Sequence, residues 1–204
     1  MTSMEETQGR SGKTEEEKET VEIPIKAELV KNSVVVWDPI AGSSLYKHGF
    51  YGKPVGIRKP KIPEFNRPLE LSLLEATYLL EKKRITLTDM KTGSSMNIKK
   101  LMKKAEELHD QFNDKYAVYK DLRNRGHIVR PGLKFGADFG VYEHGPGIDH
   151  SPFIVHVLSK GSKIAAIEMV RAGRLATTVR KKFIVATIST TGEPRYYAFT
   201  WFKP

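Results

Sequence analysis

The chain has 204 residues, 39% hydrophobic and 28% charged, the balance of an ordinary globular protein with room for one large domain or two small ones. It contains no cysteine, which excludes disulfide and thiolate chemistry, and no apolar run near the ~18 residues of a membrane span or the core of a signal peptide, so an intracellular, cytoplasmic protein is expected. The formal charge of +10 is uneven: residues 1–20 hold six Glu against three basic residues, a net of −3, which leaves +13 on residues 21–204 and a field that suits a polyanion.

Residues 1–20 are rich in Glu, Thr, Ser and Gly without an aromatic, and predict a disordered acidic tail. Strand-like runs at 21–29 and 33–37, separated by Lys31-Asn32, predict a hairpin. Residues 41–53 are punctuated by Gly and Ser and carry Tyr46, Lys47, His48, Phe50, Tyr51 and Lys53. The plain reading is a structural loop with a short helix at 43–47. The functional one is an RNA-facing loop in which Lys47 and Lys53 meet phosphates.

Ser72, followed three residues on by Glu75, predicts a capping box in front of a packed helix that ends near Lys83, before a short strand at 85–88. A second helix is expected over 97–109, with Ile98, Leu101, Met102, Ala105 and Leu108 inward and its lysines forming a solvated face in preference to a nucleic-acid contact. A third starts at Phe112 and stops at Gly126, whose freedom to adopt φ > 0 ends a helix cheaply. Strands follow at 127–130, 134–135, 138–142 and 153–158, then a helix at 167–178 and a final strand pair at 182–187 and 195–202. A boundary near residue 110 divides the body into an N-terminal domain at 21–110 and a C-terminal one at 111–204.

Three residues of the C-terminal half fit together chemically. Tyr142 ends a strand, Gly145-Pro146-Gly147 turns the chain back so that His150 returns beside that strand end, and Lys181 lies where a helix passes into the next strand. A sheet built from these strands can place all three on one edge. A phenol with a cation beside it can serve as base, an imidazole as acid and an ammonium as a fixed charge, without a metal. Such a set suits RNA cleavage, because the substrate supplies its own 2′-hydroxyl nucleophile. By default, though, a strand tyrosine packs, a loop histidine makes structural hydrogen bonds and a lysine pair is solvated. His144, His150 and His156 with Asp149 match no usual metal-ligand spacing, and neither a P-loop nor a GxGxxG occurs, so no metal and no cofactor are expected.

The wording around these residues shifts the balance. The runs 116–126 (YAVYKDLRNRG) and 132–139 (GLKFGADF), together with Tyr142, His150-Ser151 and Val179-Arg180-Lys181-Lys182, resemble the catalytic subunit of archaeal tRNA-splicing endonucleases. The likeness spans 115–204 and extends more weakly to 69–80 and to Tyr51-Gly52-Lys53-Pro54. It implies an α+β chain, a small N-terminal α/β domain followed by a restriction-endonuclease-like domain with a mixed sheet. It also implies metal-free excision of introns at bulge-helix-bulge motifs of precursor tRNA. The family's base, acid and transition-state lysine fall on Tyr142, His150 and Lys181, and its base-clamping arginines on Arg174 and Arg195.

Family assemblies are dimers of dimers, in which C-terminal strands pair across subunits and an acidic loop docks into a basic cleft. Here the corresponding connection, 158–163, carries two lysines and no carboxylate, so a two-plus-two heterotetramer with a non-catalytic homologous subunit is expected. Two alternatives stay open beside this reading. One is a metal-dependent DNA nuclease of the same fold using Asp138, Glu143 and a lysine, and the other is a non-catalytic RNA-binding scaffold.

Overall fold

The structure, a computed structural model, describes residues 23–58, 60–132, 136–148, 150–159, 161–178 and 180–199. The expected tail at 1–20, the strand at 134–135 and the last residues of the 195–202 strand lie outside them.

The N-terminal half is a five-stranded sheet with helices packed on it. Strands β1 (Ile25–Val30) and β2 (Ser33–Val36) form the expected hairpin, with Lys31 in the left-handed region at φ 55°. After β2, Asp38 and Pro39 start a helix: the Asp38 carboxylate accepts from the Ile40 amide at 2.9 Å, and proline at the first helical position loses no hydrogen bond. Hence α1 runs Pro39–Lys47, longer than the short helix expected at 43–47. Next come β3 (Lys53–Pro54), β4 (Leu69–Leu71) and α2 (Leu73–Glu81), whose capping box is complete, with Ser72 and Glu75 each bonding the other's backbone amide. Strand β5 (Ile85–Asp89) returns parallel to β1, giving the order β3-β4-β2-β1-β5. In α3 (Ile98–Leu108), capped by Asn97, Leu101 and Ala105 are buried while Lys99, Lys100 and Lys103 are exposed.

Helix α4 (Phe112–Asn124) leads into a second sheet of β6 (Ile128–Pro131), β7 (Phe139–Tyr142), β8 (Phe153–Leu158), β9 (Lys182–Ile188) and β10 (Pro194–Phe199), with α5 (Ala166–Thr178) between β8 and β9. The order is β10-β9-β8-β7-β6, antiparallel except for β8 and β9. Alternation sets the two faces. Phe139, Val141, Val155, Val157 and Ala186 join α4 in a core cluster that continues without a break into the first sheet, and the Tyr119 and Phe139 rings sit 6.1 Å apart within it. On the other face a smaller cluster, Ala137, Ile154, Ala176, Phe183 and Val185, lies under α5. Burying each large aliphatic side chain stabilises by about 1.5–3 kcal/mol, so the larger cluster dominates the fold.

Three helices pass into strands through the same joint. In each, one amide bonds three residues back and the next bonds five residues back, with a left-handed residue at the first position. At α2–β5 these are Lys83 to Leu80 (3.1 Å) and Arg84 to Leu79 (2.9 Å); at α4–β6, Gly126 to Arg123 (3.0 Å) and His127 to Leu122 (3.1 Å). At α5–β9 they are Arg180 to Thr177 (3.1 Å) and Lys181 to Ala176 (2.8 Å). Gly126 at φ 87° fits easily, whereas Lys83 at 56° and Arg180 at 54° accept the strain of a side chain there.

Candidate active site

Topology brings the three candidate residues to one end of the second sheet. Strand β7 runs antiparallel to β8, so the finish of β7 at Tyr142 lies beside the start of β8, and the parallel β9 starts at that same end. The pairings Val141↔Phe153 and Phe153↔Lys182 fix the register, and the Lys182 amide donates to the Pro152 carbonyl at 2.9 Å. The three strands are central ones, so the residues gather at a sheet end and not on the edge that the sequence suggested.

Ser151 organises this end. It is buried, its Oγ donates to the Phe153 carbonyl at 2.7 Å, and its own carbonyl accepts from Lys181 Nζ. A Cβ placed on Gly140 would lie 3.6 Å from Ser151 Oγ and 3.9 Å from Tyr142 Cε2, so the tyrosine ring and the serine side chain flank the same bare patch of strand. His150, next in the chain to Ser151, is exposed, and Tyr142 is half-buried. Sequence spacing pointed to Tyr142, His150 and Lys181; the contact of the Ser151 carbonyl with Lys181 was hidden, since nothing in a small polar residue predicts which group its carbonyl will meet.

The other predicted contacts distribute unevenly. Arg174 is exposed on α5, two turns before Lys181, on the helix whose end sets that lysine. Arg195 is exposed on β10 opposite Thr187, five residues along β9 from Lys182, which at about 3.3 Å per residue puts it near the far end of the sheet within this chain. Lys47 and Lys53 are exposed in the N-terminal half, where Lys47 pairs with Glu64 at 3.5 Å across solvent, a contact of about 0–1 kcal/mol.

Asp138, the carboxylate of the DNA-nuclease alternative, sits just before β7, at the opposite end from Tyr142. It accepts from the Val157 amide at 2.8 Å and pairs with Lys115 and His156, each at 3.1 Å. Burial pushes its carboxyl up, but the bonds from His156, Val157 and Lys115 together outweigh that and hold it below the usual carboxylate range. His156 Nδ1 is thereby committed to the Asp138 carboxylate, in the middle of β8. Among the described residues no group of three His, Asp or Glu is placed to hold a metal ion, and no helix is long and apolar enough to cross a membrane.

Known proteins match both halves of the chain. Residues 25–102 match the N-terminal domain of tRNA intron endonucleases and residues 112–196 their catalytic C-terminal domain. A tRNA-splicing endonuclease of Hyperthermus butylicus is 45% identical over 181 residues, 88% of this chain and 99% of the relative. Those of Saccharolobus solfataricus and Saccharolobus islandicus are 41% and 40% identical over the same shares. The paired domain matches define an RNA-processing nuclease with an α+β fold. The chain belongs to the tRNA intron endonuclease family, and it is an enzyme.

Proposed function

We propose that this chain cleaves precursor tRNA at bulge-helix-bulge motifs without a metal, leaving 2′,3′-cyclic phosphate and 5′-hydroxyl ends. The supporting observation is the gathering of Tyr142, the His150-Ser151 segment and Lys181 at one sheet end. Tyr142 Oη removes the proton of the 2′-hydroxyl, O2′ attacks the adjacent phosphorus, and the bond from phosphorus to O5′ breaks as His150 delivers a proton to the departing oxygen. Lys181 offsets the charge that develops on the non-bridging oxygens. Arg174 stacks on an unpaired bulge base, Arg195 reaches RNA only from another subunit, and Lys47 and Lys53 contact phosphates further out. Residues 21–110 form the N-terminal domain and 111–204 the catalytic one.

The active form is a heterotetramer of two catalytic and two non-catalytic chains. Among the described residues β10 is the last strand of its sheet, with Tyr197 and Phe199 about half exposed, an edge suited to pairing with another chain. Lys163, in the connection after β8, is exposed, so a second copy would bring like charge to a basic cleft.

The test is cleavage of a bulge-helix-bulge RNA by the chain alone and with its partner, in EDTA, with the ends identified. Activity in EDTA on addition of the partner, with cyclic phosphate ends, is expected. Loss of activity in EDTA sinks the metal-free reading, linear phosphate ends sink the transesterification, and full activity from a homogeneous tetramer of this chain sinks the assembly.

A further inference from the structure

The segment between α1 and β3 is held more tightly than a surface connection needs. Arg123, 7% exposed, donates to the Gly49 carbonyl at 2.8 Å and lies with its guanidinium carbon 4.3 Å from the centre of the Tyr51 ring. Arg130 Nη1 donates to the Phe50 carbonyl and, at 2.8 Å, to the Gly52 carbonyl, and stands 3.4 Å from Glu75 Oε1. That carboxylate, 5% exposed, accepts from the Gly52 amide at 2.9 Å. Two buried or half-buried arginines and a buried glutamate thus hold the backbone at three positions, Gly49, Phe50 and Gly52, and the ring of Tyr51 between them. Their loss would leave charged groups unpaired in the interior, so the arrangement is costly to change.

What this clamp presents is Phe50. Its backbone is held at φ 53°, uncommon for a bulky residue, its amide donates to the Tyr46 carbonyl at 2.7 Å, and its ring meets that of Tyr46 edge-on at 5.4 Å. The ring lies directly against the backbone of Gly145: a Cβ there would come within 2.4 Å of Phe50 Cε2 and 2.7 Å of Cζ. Gly145 is buried, has φ +129°, and accepts from the Ile148 amide at 3.1 Å in the turn that connects Tyr142 to His150. Arg130 also belongs to the strand pair that carries the base, since β6 pairs Ile128↔Tyr142 and Arg130↔Gly140. One arginine therefore ties the Phe50 seat to the strand on which Tyr142 sits.

We propose that Phe50 is a positioning residue for the acid: clamped by Arg130, Glu75 and Arg123, its ring seats the Gly145 turn and so sets where His150 meets the leaving oxygen. This rests on His150 being the acid. The small N-terminal half then contributes to catalysis across the shared core without touching the reacting atoms. The left-handed backbone at Phe50 and the absence of room for a side chain at Gly145 fix the ring and the turn against each other with little slack.

The test uses the active assembly and two RNAs, one ordinary and one with sulfur in place of the 5′-bridging oxygen at the cleavage site. Sulfur departs without being protonated, so a defect confined to the acid disappears on it. Phe50→Ala is expected to lower the single-turnover cleavage constant about 10- to 100-fold on the ordinary RNA, as expected for ångström-scale misplacement, with RNA Kd within about twofold. On the sulfur RNA it should approach wild type, as should His150→Ala, and Phe50→Leu should recover most of the rate on the ordinary RNA. Wild-type cleavage by Phe50→Ala, or equal slowing on both RNAs while His150→Ala is rescued, overturns the positioning role alone. Failure of sulfur to rescue His150→Ala overturns the acid assignment, and the proposal with it.

Discussion

Helix α2 ends in a left-handed Lys83, Arg84 bonds back five residues to Leu79, and β5 then runs parallel to β1. Helix α5 ends in a left-handed Arg180, Lys181 bonds back five residues to Ala176, and β9 then runs parallel to β8. The backbone is alike, and each joint delivers a basic side chain to the start of a parallel strand pair. In the first, the Arg84 guanidinium settles 5.5 Å from the Tyr51 ring, a packed contact. In the second, Lys181 bonds the Ser151 carbonyl beside His150, with Tyr142 on the adjoining strand. Chemistry follows from what the neighbouring loops bring to the joint and not from the joint itself. Seven residues before each basic residue the contrast repeats, for Thr77 is buried with Oγ1 bonded to the Leu73 carbonyl at 2.7 Å, while Arg174 is exposed.

The largest expected effect tests that asymmetry directly. Lys181→Ala should reduce single-turnover cleavage by about 10²-fold or more, with RNA affinity nearly unchanged, while Arg84→Ala loses only about 0.5–1 kcal/mol of stability and little activity. Equal losses from the two would break the comparison. Arg174→Ala comes next: it should weaken binding of bulged RNA by about 1–3 kcal/mol and leave a plain duplex nearly unaffected, because stacking needs an unstacked base. Equal weakening of both RNAs in a filter-binding titration would reduce Arg174 to a general phosphate contact.

The far end of β7 supplies a third, smaller test. Asp138→Asn should cost about 1–2 kcal/mol at neutral pH, measured by urea unfolding. Because the folded carboxyl titrates below its unfolded value of about 3.9, the difference between wild type and variant should be full above about pH 5 and vanish as pH falls through the lowered folded value. A difference unchanged down to pH 2 would show that the carboxylate charge contributes nothing. The smallest effect concerns the joints again. Lys83→Gly and Arg180→Gly both relieve a left-handed side chain, and each should raise stability by up to about 1 kcal/mol, less the extra entropy of the unfolded chain. Opposite signs in denaturant melts would mean that the two joints differ in more than their surroundings.

Local chemistry made much of this readable in the sequence. The Ser72 and Glu75 spacing marked the start of α2, Gly126 the end of α4, and Lys31-Asn32 the turn of the first hairpin, since each depends on residues close in the chain. The start of α1 carried a signal too, as Asp38 before Pro39 is a cap followed by a first-turn proline, but the glycines and serines behind it read as a loop. Tyr142, His150 and Lys181 stood out by type, and the strand order that unites them needed the whole sheet. The burial of Arg123, and the bonds from Arg130 to a segment some eighty residues earlier, had no local mark, because charged residues are ordinarily read as surface.

Lys181 hangs on a helix whose own footing is small. Among the described residues, Ala137, Ile154, Phe183 and Val185 are buried against Ala176 of α5, with Leu158, Met169 and Ala172 half-buried beside them, whereas α2 and α4 are anchored in the larger core. A unit with so little apolar contact opens at lower free energy than the body that carries it. When α5 opens, the bond from the Lys181 amide to Ala176 goes with it, and the ammonium leaves its station while both sheets remain folded. With Lys181 in the role proposed for it, we predict two thermal limits, one for shape and a lower one for work, and slow amide exchange at Val141 beside faster exchange at Lys181 would mark the gap between them.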